Sequence, residues 1–560
     1  LKVKKRRKDG YKVIPILLDG VKPSALHHWF GKKNLLAVQI GNGHDAVANA
    51  LPKLLEALGE RAPSDSEAPP DIPAAPSANL TLKLNDLTLP TARGKRRAKA
   101  TATLIYTPPA PSAPRVESPP YKLTAPLGAI EEGDLTWYLE RYAQWPVGVF
   151  KERADKVVES LPEWGDDLFE AALGPDAAHE AYEAWKRVGD DTTRRFTIEV
   201  DPALAEDPTE AKKKKGKLTK KQQAAQEAAT QLLALPWELL HDRDGYLLQG
   251  ARGIRISRRL PNRKSKTPVV TKPPLRVLLV SPRPEDERTT YIDHRVSARP
   301  LVDALTPLGK NVELTLLDPP TVPALEDVLK KAHKAKKPYH VVHFDGHGVY
   351  DPNLGLGALC FEDPADADKL EKRGSQIVSA EELADIIRDH RIPLFFLEAP
   401  QSAMTKDDPT ASVAAKLLQQ GVASVVGMSH SVLVETARLF VTEFYDQLMT
   451  GATIGQAVLV GRQALHTDTR RGKVFGGGEL HLHDWFVPVL FQEEHDPRMI
   501  HGLSSKDVAA LRRKAAGFSL GDLPARPEHT FVGRSRELLA AERTLATSPY
   551  IVFQGKGGVG

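Results

Sequence analysis

The chain has 560 residues, 41% hydrophobic and 27% charged, with a net charge of +5 and one cysteine. That length implies about three or four domains, and no stretch reaches the ~20 apolar residues of a membrane-spanning helix. A single cysteine excludes an internal disulfide framework and suits a reducing, cytoplasmic setting. The chain opens on Leu1 rather than Met, as a fragment of a longer protein would, so a missing signal peptide carries no weight.

Basic blocks stand at 2–8 ("KVKKRRK"), 94–99 ("GKRRAK") and 212–221 ("KKKKGKLTKK"). Such blocks are one way to build a nucleic-acid-binding module. The lysine block has no interleaved aromatics and interrupts two strand-like segments, so solvated loops are the expected role and nucleic acid is not an expected partner. Proline and small residues at 62–78, 107–122, 261–274 and 521–529 read as linkers or long loops, because they cannot propagate a helix and offer little to bury. The expected divisions are an α+β N-terminal region with proline-rich linkers (1–125), a helical and strand region (126–270), an α/β domain (271–495), a helical linker (496–526) and a tail (527–560).

Between 126 and 270, "LTWYLERYAQW" (135–145) places Leu135, Tyr138, Leu139 and Tyr142 on one face of an amphipathic helix. Trp145 and Trp164 add apolar area, and the tryptophans are expected in the core. "RRFTIEV" (194–200) alternates Phe196, Ile198 and Val200, the pattern of a half-buried strand. "LPWELLHDRDGYLLQ" (235–249) reads as a short helix and turn feeding a strand.

From residue 275 the pattern becomes regular. Short apolar strands are expected at 275–280, 312–317, 340–344, 394–397 and 422–428, with helices between them at 299–309, 324–337, 379–390 and 409–421. Alternation of strand and helix implies a mostly parallel sheet with helices on both faces. The continuous apolarity of the strands implies the same. A longer helix follows, carrying Ala437, Phe440, Val441, Phe444, Tyr445 and Leu448 as a core-facing stripe.

In open α/β sheets, reactants meet at the carboxyl ends of strands. One such end is "VVHFDGHGVYD" (341–351), where a strand breaks at Gly346-His347-Gly348. Another follows "LFFL" as Glu398, Ala399, Pro400, Gln401 and Ser402. Position 400 lies roughly 50 residues after His347, the separation at which caspases place their cysteine after their histidine. A histidine at one strand end can deprotonate a thiol at the next, and glycines free an amide for the oxyanion. The H-x-D-x-H run of His343, Asp345 and His347 also permits a metal reading, but no downstream ligand cluster completes it and no metal is expected.

"VVHFDGHG", "LFFLEAPQSA" and the run "PTASVAAKLLQQGVASVVGMSHS" through "TIGQAV" together resemble a CHAT domain, of the caspase, separase and gingipain group of cysteine peptidases. "LPWELLHD", "GYLLQ" and "RISRRLP" upstream and "DWFVPVLF" downstream resemble segments that accompany this domain, so the likeness covers roughly 130–495. It implies a caspase-like fold in which His347 is the general base, supported by His343. Gly348 would donate an oxyanion amide, and the nucleophilic cysteine would stand at position 400. Position 400 is Pro400, which has neither a thiol nor an N–H. Cys360 lies too early and reads as a small buried hydrophobe, and Ser402 is two residues displaced with a less acidic hydroxyl. The expectation is therefore a caspase-like cysteine endopeptidase by resemblance, inactive as written, or else a pseudoprotease that binds a peptide or protein partner. His347 is expected to be solvent-accessible, within several ångströms of the backbone at 400.

The tail adds a second resemblance. "FVGRSREL" (531–538) precedes "YIVFQGKGGVG" (550–560), in which Gly555, Lys556, Gly557, Gly558, Val559 and Gly560 form the glycine half of a phosphate loop. Together they resemble the entry into a STAND-type (NB-ARC or AAA-like) NTPase, the switch of bacterial signalling and defence proteins. That resemblance implies ATP with Mg²⁺ as cofactor in the complete protein, none in 1–560, and oligomerisation through the NTPase domain. The tail from about 527 is expected to be loosely anchored, since a lone strand and two helices bury little surface.

Overall fold

The computed structural model describes residues 16–18, 38–40, 77–90, 97–110, 112–189, 192–201, 220–249, 253–260, 270–287, 289, 292, 298–351, 356–398, 409–474, 478–516, 535–548 and 551–552. The chain divides into two units, Leu1–Ile72 and Pro73–Gly560. In the first, β1 (Ile16–Leu18) pairs in parallel with β2 (Val38–Ile40). The 2–8 block and residues 212–219 lie outside the described residues, while in the 94–99 block Arg97 lies 3.6 Å from Glu131.

The second unit begins with β3 (Ser77–Thr88), β4 (Lys99–Thr107), β5 (Val116–Glu117) and β6 (Tyr121–Thr124). Helices α1 (Ala129–Glu140), α2 (Val149–Ala172) and α3 (His179–Lys186) follow, then β7 (Thr193–Val200), α4 (Lys220–Ala234) and β8 (Arg255–Arg259). The alternating stretch opens with β9 (Leu275–Val280), α5 (Arg299–Leu305), β10 (Val312–Leu316), α6 (Val322–Lys334) and β11 (Val341–Asp345). Three further strands, β12 (Gly348–Asp351), β13 (Leu356–Glu362) and β14 (Ser375–Ser379), lead to α7 (Ala380–Asp389) and β15 (Leu394–Glu398). Then come α8 (Pro409–Gln419), β16 (Ser424–Met428), α9 (Val434–Met449) and α10 (Ile454–Thr467). The chain continues through β17 (Arg470–Val474), β18 (Gly478–His481), β19 (Pro488–Gln492), α11 (Ser505–Ala516) and α12 (Ser535–Thr547). Each of the five strands and four helices expected from the alternation is present.

Among the described residues, twelve strands form one sheet in the order β10-β9-β11-β15-β16-β19-β8-β7-β3-β4-β5, with β6 also paired to β4. The first five run parallel. β19 is antiparallel to β16 and parallel to β8, which continues in parallel to β7 and β3. The divisions expected near 125 and 270 therefore do not interrupt the sheet: β3 pairs with β7, and β8 with β19.

Two local expectations are corrected. β7 is covered on both faces, because Arg195 and Thr197 are buried along with Phe196, Ile198 and Val200. Arg195 is tolerated there since its guanidinium donates to the Glu493 and Glu494 carbonyls and to Ser257 Oγ. Trp145 is 68% exposed, while Trp185, Trp237 and Trp485 are buried. Helix α1 ends at Glu140, so Trp145 lies beyond the buried face of Leu135, Tyr138 and Leu139.

Strand alternation fixes what covers the site strands. Phe396 meets Phe440 and Phe444 of α9, whereas Phe395 and Phe344 on the opposite face lead to Phe361 of β13. Helix α9 and strand β13 thus sandwich the centre of the sheet. No helix among the described residues is long and apolar enough to cross a membrane.

Candidate active site

Parallel pairing brings the carboxyl ends of β9, β11, β15 and β16 to one edge. Asp345 is in register with Glu398, and the Gly346 N–H donates to the Glu398 carbonyl at 3.2 Å. The turn into His347 thus starts beside the end of β15. A Cβ at Gly346 would lie 3.0–3.1 Å from the Phe344 ring and 3.1 Å from Pro282 Cγ, so a side chain there would force the Phe344 ring or Pro282 to give by a few tenths of an ångström. Ala399, Pro400, Gln401 and Ser402 lie outside the described residues, as do Gly555, Lys556, Gly557, Gly558, Val559 and Gly560.

His347 stands at the expected edge but is only 4% exposed, not solvent-accessible. The chain does not leave the sheet in an open loop. It passes straight into β12, and the His347 carbonyl accepts the Cys360 N–H at 2.9 Å from β13. Gly348 pairs with Leu359 in the antiparallel ladder. Because the neighbouring bond runs from Cys360 to His347, this is a non-hydrogen-bonded pair, and the Gly348 N–H is turned away from β13. Cys360 is buried within β13, as its small apolar role requires.

His343 belongs to a second group, fully buried on the α9 face. Its ring stacks on Phe396 with centroids 4.3 Å apart. Nδ1 lies 3.2 Å from the Tyr445 hydroxyl and Nε2 lies 3.3 Å from Glu398 Oε2. Burial pushes the Glu398 carboxyl above its ordinary range and the Asp345 charge pushes the same way; His343 and Arg283 only partly oppose them. Burial likewise raises the Tyr445 phenol well above its ordinary value, so it stays protonated.

Asp345 is held by Arg283, whose guanidinium forms a short hydrogen bond to the carboxylate and donates to the Asp345 carbonyl at 2.6 Å. Ser281 Oγ donates to the same carboxylate at 3.1 Å. The acidic member of the H-x-D-x-H run is thus committed to an arginine, and among the described residues no group of three or more His, Cys, Asp and Glu could hold a metal. Glu362 at the end of β13 accepts the Arg283 backbone N–H at 3.0 Å, Arg373 at 2.6 Å and Arg543 of α12 at 2.8 Å. Helix α12 is therefore seated on this edge through Arg543, a tie that the tail's short sequence does not suggest.

Arg283, Glu362 and His430 were not singled out by sequence reasoning, and Tyr445 was read only as part of the core-facing stripe of α9. Arg283 carried a usable signal, since a basic residue just past a buried strand is the natural counter-charge for Asp345. His430 follows β16, with its Nδ1 3.1 Å from Ser429 Oγ, and the next N–H, of Ser431, donates to Glu140 of α1 at 3.1 Å.

The family described as "CHAT domain" matches residues 204–498. No curated protein matches. Among solved structures, two of the Saccharomyces cerevisiae separase–securin complex show 11% and 10% identity with TM-scores of 0.33 and 0.32, each covering 74% of this chain. The chain spans 30% of the length of those separase-complex chains. The Drosophila initiator caspase Dronc shows 10% identity and a TM-score of 0.23, covering 41% of this chain and 92% of its own.

Proposed function

The chain belongs to the CHAT domain family, and from that premise we propose that it is the caspase-like effector region of a bacterial signalling or defence protein. Its site descends from a cysteine endopeptidase and, with Pro400 at the nucleophile position, engages a peptide or protein partner without cleaving it. The observation that carries this reading is the joint between the Gly346 N–H and the Glu398 carbonyl at 3.2 Å. It supports a base at His347 beside the backbone that leads, two residues on, to position 400. A general base accelerates nothing without a group to deprotonate, and proline offers none. Burial of His347 fits a site that opens only when a partner or signal shifts the strands around it.

The reading extends to a nucleotide switch where the chain continues beyond Gly560 with Lys and then Ser or Thr. Gly555 and Gly560 would then frame a phosphate loop that takes ATP with Mg²⁺, and oligomerisation would run through that domain.

The test compares Pro400→Cys with the double variant Pro400→Cys/His347→Ala. Faster alkylation at position 400, or cleavage of co-expressed protein, should appear in the first and vanish in the second. Equal cleavage by the unaltered chain would overturn the reading and direct attention to Ser402.

A further inference from the structure

Helix α12 meets the catalytic edge through one buried side chain, Arg543, which donates to Glu362 Oε1 and to the Leu370 and Glu371 carbonyls. Glu362 Oε1 accepts the Arg283 backbone N–H at 3.0 Å and Arg543 Nη2 at 2.8 Å, while Oε2 accepts Arg373 Nη1 at 2.6 Å. Glu362, Arg373 and Arg543 are all buried. Two hydrogen-bonded routes leave this carboxylate and converge on residues 345–347. One runs through Arg283, whose side chain grips the Asp345 carbonyl and carboxylate. The other runs along β13 to Cys360, whose N–H donates to the His347 carbonyl at 2.9 Å.

The buried part of the hold on α12 is concentrated in Arg543. Among its residues with described side chains, only Ala541 and Arg543 are buried, and Leu545 is half exposed. A second charged contact, the bidentate pair of Arg536 with Glu285, is solvent-exposed on the arginine side, and Lys372 also pairs with Glu285 and stays when Arg536 leaves. Small, polar contacts of this sort are typical of elements that move relative to one another. Charge balance points the same way. If Arg543 leaves, Glu362 retains Arg373 and the Arg283 N–H, so undocking strands no buried carboxylate.

We propose that α12 is a reversible clamp on the His347 turn. Docked, Arg543 fixes the Glu362 carboxylate and, through it, the Arg283–Asp345 pair and β13. Undocked, that carboxylate reorients and residues 345–347 loosen together with Cys360. What the clamp would control, though not its existence, rests on the reading of His347 as the base.

Cys360 is the chain's own reporter, being its sole cysteine. Hydrogen exchange and iodoacetamide labelling of Cys360 are measured on the whole chain for Arg543→Ala, Arg543→Glu and, as a control, Arg536→Ala. Both Arg543 variants should deprotect α12 and raise Cys360 labelling and exchange across 341–362 by about ten-fold. Arg536→Ala should stay within about two-fold of the unaltered chain. Three results would overturn the clamp. One is protection of α12 retained in Arg543→Glu. Another is deprotection of α12 with 341–362 unchanged. The third is uniform deprotection of the whole chain in Arg543→Ala, which would make α12 part of the core. None of these readouts involves hydrolysis, so coupling that persists while Pro400→Cys stays inert leaves the clamp standing and removes only the base reading.

Discussion

His343 and Glu398, on adjacent parallel strands, share a hydrogen bond of 3.3 Å between Nε2 and Oε2 with Phe396 stacked beneath the imidazole. Both side chains are buried, and the carboxyl titrates above its ordinary range chiefly because burial disfavours its charge.

That placement makes a pH prediction. The folded chain keeps the Glu398 proton where the unfolded chain has lost it, so stability is full below the ordinary carboxyl range and falls as pH rises through the raised value. Glu398→Gln removes the titration while keeping a polar partner for His343. The stability of Glu398→Gln relative to the unaltered chain should therefore grow with pH, by about 1.4 kcal/mol for each unit of difference between folded and unfolded values. Urea melts of both proteins from pH 4.5 to 8 measure it. Parallel stability curves would sink the assignment.

A second prediction concerns the joint between the two halves of the sheet. Glu238 accepts from Arg258 Nη1 and from Arg462 Nη2, both at 2.7 Å, with all three side chains buried. Burial alone would raise its carboxyl, but the two guanidiniums reverse that and lower it. Glu238→Ala strands two buried cations and should cost about 3–5 kcal/mol. Arg462→Met leaves Glu238 paired with Arg258 and should cost less. The reverse order in urea midpoints would show that packing, not charge pairing, holds this joint.

The sheet's parallel core was legible because both faces are covered, which makes β15 and β16 almost continuously apolar, a pattern read without knowing what they pack on. His347 and Gly348 were legible as chemistry at a strand end. The burial of His347 was not. There the chain runs into β12 and β13 returns to bond the His347 carbonyl, and nothing local in "GHGVYD" encodes that return. The same holds for Arg543. An arginine on a polar helix reads as solvated until Glu362, far away in the chain, is placed beside it. Trp145 failed for the opposite reason, since apolar character was taken for burial although the helix that would have buried it stops at Glu140.

The last prediction rests on His340, which packs against β9. Its Nδ1 accepts the Arg276 N–H at 2.9 Å, which leaves Nε2 as the donor to Thr271 Oγ1 at 2.7 Å. This arrangement needs the neutral ring, because a protonated Nδ1 has no lone pair to offer Arg276. Burial, with a smaller contribution from the Arg276 charge, lowers the imidazole to about 4. The sign follows from proton uptake. Between the ordinary histidine value and about 4 the unfolded chain binds a proton that the folded chain refuses, so stability is full above that window and lost as pH falls through it. The loss amounts to roughly 3 kcal/mol if the whole interval is realised. His340→Asn keeps an acceptor for the Arg276 N–H but forfeits the bond to Thr271. It should be about 1 kcal/mol less stable at pH 7.5 and lose less stability than the unaltered chain between pH 6.5 and 4. Thermal melts across that range decide it. An equally steep acid loss in His340→Asn would assign the sensitivity to other groups.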